Sequence, residues 1–133
     1  MVLPGVQALF GFQLIAVFNA GFAEKLSPFE HKLHLVALTL VALAAMLIMT
    51  PAALHRQTGP REASEQFLRV GGRLLLCSML PLLGGIGLDF YLIARIVLGD
   101  AQEAAAMALT LAALIATCWF LFPRVYRKLY RWR

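Results

Sequence analysis

The chain has 133 residues, of which 61% are hydrophobic and only 14% charged, with a mean hydropathy of +0.77. That balance lies outside ordinary globular domains, and the length leaves room for one bundle and no separate soluble domain. A net charge of +5 and a pI near 9.8 do not point to nucleic acid, because the charges gather at the ends of apolar segments, where membrane orientation and anionic headgroups account for them.

Four apolar runs organise the chain. They are expected as spans over about 2–22, 28–55, 68–98 and 103–122, followed by a tail over 123–133. Each offers about 20 residues or more, and a helix rising about 1.5 Å per residue needs about that many to cross about 30 Å of hydrocarbon. The expected fold is all-α: a polytopic membrane protein forming one four-transmembrane-helix bundle over 1–133, with a kinked third helix and a basic amphipathic C-terminal tail.

The first run does not read as a cleaved signal peptide. No Lys or Arg precedes it, it outruns an h-region of about 7–15 residues, and it carries Gln7, Gln13 and Asn19. These polar residues recur every six positions, which spreads them around a helix instead of along one stripe. Interhelical hydrogen bonds, worth about 0.6 kcal/mol each, are reason enough for them.

Ser27-Pro28-Phe29-Glu30 reads as a capping box with proline at the first helical position, so the second span starts at Pro28. Thr50-Pro51 is expected to kink or end it, with a further turn over Ala52 to Arg56 before Thr58-Gly59-Pro60. His31 and His34 share a helix face beside Glu30. A metal site there would want a further ligand, and no second His or Cys cluster outside the spans supplies one, so both read as interfacial anchors. His55-Arg56 suits the helix C-terminus.

In the third span Pro81 is followed by Gly84, Gly85 and Gly87, which predicts a departure from regular helix between Leu80 and Leu88. A kinked helix packed closely through its glycines is favoured over a broken helix of the transporter kind. Asp89 is the only carboxylate well inside an apolar run. An ionisable group at such depth costs roughly 2.5–3.5 kcal/mol on insertion scales, so it should face the bundle interior with a partner. Gln13, Asn19, Tyr91 and the Arg95 of a neighbouring copy are the candidates. The plainer role for Asp89 is to fix helix packing, and the sharper one is a proton or cation site. Arg95 itself reads as an anchor reaching lipid phosphates, Asp100 or Glu103.

In the fourth span Ala108, Ala112 and Ala116 form a small-residue stripe, open to packing on its own bundle or on another copy. Cys77 and Cys118 lie 41 residues apart inside apolar runs and read as packing residues, not as a disulfide or a metal pair. After Pro123, apolar and aromatic residues including Trp132 alternate with Arg124, Arg127, Lys128, Arg131 and Arg133, a lipid-anchoring pattern for a basic helix in the headgroup layer. Those five basic residues join Arg56, Arg61, Arg69 and Arg73 of the long loop, against Lys25 and Lys32 elsewhere. The bias predicts both termini in the cytoplasm.

No G-x-S-x-G, H-E-x-x-H, P-loop or dinucleotide fingerprint occurs, so neither an enzyme nor a cofactor is expected. The expected partners are membrane lipids and either further copies or a larger membrane complex. The leading expectation is a non-enzymatic oligomeric or accessory membrane component. The alternative is a small channel or ion- or proton-coupled transporter centred on Asp89.

The opening Met1-Val-Leu-Pro-Gly-Val-Gln-Ala-Leu-Phe-Gly-Phe-Gln-Leu-Ile-Ala-Val-Phe18 and the string Met49-Thr-Pro-Ala-Ala-Leu-His-Arg56 resemble a bacterial family of small membrane proteins known only as a domain of unknown function. The resemblance covers nearly the whole chain, and the Thr-Pro-Ala-Ala-x-His-Arg string is its most specific part. It implies a bacterial inner-membrane protein of four spans and brings no catalytic residues with it.

Overall fold

The computed structural model describes residues 2–58 and 65–129, which form helices and turns with no strand among them. In chain order the helices are α1 (Val2–Val17), α2 (Ala20–Lys25), α3 (Pro28–Thr58), α4 (Glu65–Leu98) and α5 (Ala101–Ala116). A π-helical turn over Thr117–Leu121 then leads into α6 (Phe122–Leu129). Three rods are long and apolar enough to cross a membrane: Pro28–Gln57, Phe67–Leu98 and Ala101–Leu129.

The first expected span, over 2–22, is not one helix. The Phe18 and Asn19 N–H groups bond back only three residues, to Ile15 and Ala16 carbonyls at 3.1 Å each, and α1 ends there. Asn19 takes an extended conformation (φ −81°, ψ 122°), and its Oδ1 accepts the Gly21 N–H at 3.1 Å to start α2. An asparagine is a strong N-cap, so one residue ends one helix and opens the next. What remains of the span, Leu3–Val17, is a shorter apolar helix than the other three.

The capping box of α3 is formed as its residues require. The Ser27 N–H donates to Glu30 Oε2 at 2.7 Å, and the Glu30 N–H donates to Ser27 Oγ at 3.3 Å. The helix then passes through Pro51 and continues to Thr58 instead of stopping. Gly71 of α4 lies opposite: a Cβ there would sit 3.7 Å from Pro51 Cβ, in ordinary van der Waals contact with the ring.

α4 is likewise helical without interruption from Glu65 to Leu98, so the departure expected between Leu80 and Leu88 is not found. The glycines after Pro81 serve packing instead. A Cβ on Gly85 would lie 2.6 Å from Val41 Cγ2 and 3.2 Å from the Ala37 carbonyl, and one on Gly84 would lie 3.1 Å from Leu40 Cδ1. Backbone meets backbone here because no side chain intervenes.

The two long helices pair through matching seams. On α3 Glu30, His34, Ala37, Val41 and Ala44 are all buried, and on α4 so are Ser78, Leu82, Gly85 and Leu92, with Asp89 in register among them. Each series steps by four and three residues in turn, the rhythm of two helices held along one face. Val6 of α1 joins Val41, Ala44 and Leu82 in the apolar core.

α4 ends at Gly99, whose φ of +75° is the left-handed conformation a helix stop favours, with its N–H on the Arg95 carbonyl at 3.1 Å. Asp100 then caps α5 through the Gln102 and Glu103 N–H groups at 2.8 and 2.9 Å. Ala104 and Ala108 are buried, and a Cβ on Gly87 would lie 3.9 Å from Ala112 Cβ. The alanine stripe therefore packs on its own α4.

The irregular backbone falls in the fourth span. The Phe122 N–H reaches back five residues to the Thr117 carbonyl. Pro123 explains it: the ring has no N–H and would press on the Trp119 carbonyl in a regular helix, and one widened turn relieves both. Trp119 within that turn packs against the apolar core. Arg124, Arg127 and Lys128 are exposed on α6, whereas Arg131, Trp132 and Arg133 lie outside the described residues.

Candidate functional site

Where the seams of α3 and α4 meet α1, three polar side chains come together. Gln13 Nε2 donates to Asp89 Oδ2, and His34 Nδ1 lies 3.5 Å from Asp89 Oδ1. His34 Nε2 lies 3.1 Å from the Gln13 carbonyl oxygen. Gln13 is 4% exposed, and the side chains of His34 and Asp89 are 8% and 13% exposed. Each of the three helices contributes one member, so the cluster exists only when all three are packed.

Its proton inventory follows from the donors and acceptors. A carbonyl oxygen only accepts, so His34 Nε2 must carry the proton shared with Gln13. His34 Nδ1 then has two ways to face Asp89. It bears a second proton opposite a carboxylate, or it offers a lone pair to a protonated carboxyl. In both the pair is complementary with one proton between Nδ1 and Oδ1; with none, a lone pair would face an anion across 3.5 Å. The Gln13 amide suits both states. Asp89 Oδ2 accepts from its Nε2 whether or not Oδ1 carries the proton. In the arrangement described, Gln13 Oε1 is buried and takes no hydrogen bond among the described residues.

Phe22 closes one side, its ring edge-on to His34 with centroids 4.7 Å apart and to His31 at 5.6 Å. Beyond His34, towards the start of α3, Arg95 Nε pairs with Glu30 Oε1 at 3.2 Å, and the Arg95 guanidinium also donates to the Gly99 carbonyl. The other oxygen of Glu30 is the one held by the capping box. A cavity of about 450 Å³ opens beside the cluster and is lined by Gln13, Asn19, Phe22, His34 and Asp89 together with apolar side chains of α1 and α4.

The structure sorts the residues expected at this site. Gln13 and Asp89 are joined directly. Asn19 lines the same cavity, but its side-chain oxygen is taken up in capping α2. Among the described residues Arg95 pairs with Glu30 and not with Asp100 or Glu103, because six residues, roughly one and a half turns of helix, carry it past Asp89 to the level of the α3 start. Tyr91 faces away, into the cleft between α4 and α5. His34 and Glu30 were missed as site residues. The signal was present, since both continue the four-and-three rhythm of Ala37, Val41 and Ala44.

These features define a class: a small all-helical protein with rods suited to a membrane and a buried carboxylate–imidazole–amide cluster at their junction. Residues 1–123 match the family of unknown function DUF6328, and the chain belongs to that family. No curated protein and no solved structure matches it.

Proposed function

We propose that this chain is a non-enzymatic integral membrane protein that takes up and releases a proton at the Asp89–His34–Gln13 cluster, as a small proton-coupled transporter or channel. The observation that carries this reading is the open space of about 450 Å³ against all three side chains. A carboxylate that served packing alone would need no cavity beside it. The cluster accommodates one proton in two positions, which is what reversible uptake requires. In this reading α1 and α2 together make a fourth crossing of a bacterial inner membrane.

The test is proton exchange across vesicles holding the purified chain. After a pH jump, the wild type should equilibrate a trapped pH dye faster than empty vesicles, and Asp89→Asn should fall to the empty-vesicle rate while remaining folded. Equal rates for the two proteins would defeat the reading. A second reading, an oligomeric or accessory component of a larger complex, draws support from the rod over Ala101–Leu129, in which only Ala104 and Ala108 are buried. It predicts equal rates and a partner retained on that face.

The basic residues support both termini on the cytoplasmic side. With Cys77 and Cys118 replaced by alanine, single cysteines at Gln57 and Gln102 should react with an impermeant maleimide from opposite sides. Labelling of both from one side would refute this orientation. Gln57 is exposed at the loop end of α3, and Gln102 is exposed at the start of α5.

A further inference from the structure

We propose that the cavity at Asp89 receives a lipophilic amine in its protonated form, and that the bound ammonium takes the place of the proton shared by Asp89 and His34. The inference deepens the proton-exchange reading and rests on it. Three observations define the ligand. First, among the groups lining the cavity, Asp89 supplies the one carboxylate, and the other charged group there, Lys25, is exposed on α2, so the inner end beside Asp89 matches a single positive charge. Second, Gln13 Oε1 is buried with no donor among the described residues, although a buried amide oxygen left unpaired is costly. Turned towards the cavity that Gln13 lines, this oxygen would accept from a ligand that brings N–H groups and not from a quaternary ammonium. Third, the remaining wall is largely apolar and aromatic, with Phe12, Phe22, Leu92 and Ile96, and so fits a hydrocarbon or aryl body beside the ammonium. The volume of about 450 Å³ falls in the range of small-molecule sites.

The surroundings exclude simpler cations. Among the described residues no three His, Cys, Asp or Glu side chains group as metal ligands, and a hard cation wants about six oxygens. The charged and titratable groups near Asp89 are also accounted for. His34 and His31 come from α3, Lys25 lines the cavity from α2, and Glu30 is already paired with Arg95 of α4. The exchange balances: one ammonium enters as one proton leaves, no covalent bond changes, and the net charge of the cluster stays constant. Amino-lipid headgroups also carry an ammonium, but joined to a phosphate that the Asp89 carboxylate would repel. The occupant is accordingly assigned as a free amine.

The full chain is reconstituted in vesicles of phosphatidylcholine and phosphatidylglycerol, which contain no amino lipid. The probe is phenylbutylamine, with phenylbutanol as its uncharged counterpart. The wild type should bind the amine saturably, release close to one proton per amine bound in weak buffer, and bind the alcohol at least about tenfold more weakly. Asp89→Asn should weaken amine binding by about tenfold or more, and Asp89→Glu should recover part of it. If Asp89→Asn fails to assemble, the wild type still decides the matter, because the amine must slow its proton exchange saturably and the alcohol must not. Proton exchange that depends on Asp89 but ignores the amine overturns the ligand assignment and leaves the proton reading standing. Equal binding of alcohol and amine, or amine binding that appears only when phosphatidylethanolamine is added, also overturns it. Absence of any Asp89-dependent exchange removes both.

Discussion

Asp89→Leu is expected to destabilise the packing of α1 against α3 and α4 severely, while Asp89→Asn folds and assembles. Leucine removes both acceptors at once and leaves the largely buried Gln13 Nε2–H and His34 Nδ1 without their partner. Each stranded buried group costs about 1–3 kcal/mol, a large part of what holds a small bundle together. Asparagine keeps the shape and an oxygen for the Gln13 amide, and loses only the capacity to titrate. Denaturant titration in detergent should place Asp89→Leu at least about 2 kcal/mol below Asp89→Asn. The decisive control is the triple change Gln13→Leu, His34→Leu, Asp89→Leu. With every polar partner gone, much of the lost stability should return, because an apolar cluster of similar size leaves nothing unpaired. An Asp89→Leu protein as stable as the wild type would mean that the carboxylate does not sit among these partners.

Gly85→Leu should separate α3 from α4. Even the first atom of a side chain at Gly85 would lie 2.6 Å from Val41 Cγ2 and 3.2 Å from the Ala37 carbonyl. The first neighbour is a stiff β-branched group and the second is backbone, so neither can swing aside. Overpacking of this kind costs typically about 1–3 kcal/mol, and leucine adds three further carbons to the same gap. The comparison with alanine separates sterics from helix propensity. Glycine to alanine in an open helix position stabilises by up to about 1 kcal/mol, and Gly72, with nothing within 4 Å of its Cβ position, is such a place. Gly72→Ala should therefore raise the unfolding midpoint, whereas Gly85→Ala lowers it and Gly85→Leu lowers it much further. Shifts of the same sign at both glycines would show that α3 and α4 are not pressed together there.

How far the sequence could be read depended on whether a feature was local. The capping box at Ser27 and Glu30 was legible because all its atoms come from one turn. Asp89 and Gln13 were legible as a pair because a carboxylate in an apolar run demands a partner and few were deep enough. The break at Asn19 was not, since an asparagine in an apolar run reads equally as an interhelical donor or as a cap. Pro81 lies inside a continuous helix. Loss of one hydrogen bond does not interrupt a helix whose glycines let a neighbour press along it, while Pro123, at the far end of a rod with little packed around it, widens the turn before it. His34 and Glu30 read as an anchor and a cap because their residue types suit a helix start. Charged and titratable residues near a helix start resemble an interface, yet their spacing belongs to the buried seam.

The order in which the three cluster members are synthesised has a consequence for how such a protein is made. Gln13 leaves the ribosome first, His34 next, and Asp89 follows Gln13 by 76 residues. At roughly 5–20 residues per second, the amide waits roughly 4–15 seconds for its acceptor. An amide and an unprotonated imidazole enter a bilayer without bearing a charge, so the early helices can lodge there before the site exists. The carboxylate, the one member whose usual form at neutral pH is ionic, arrives last and finds its donors already in place. The opposite order would leave an acidic helix in lipid with nothing to receive it. The chain thus inserts its least demanding polar groups first, and the completed α4 is what draws them into register.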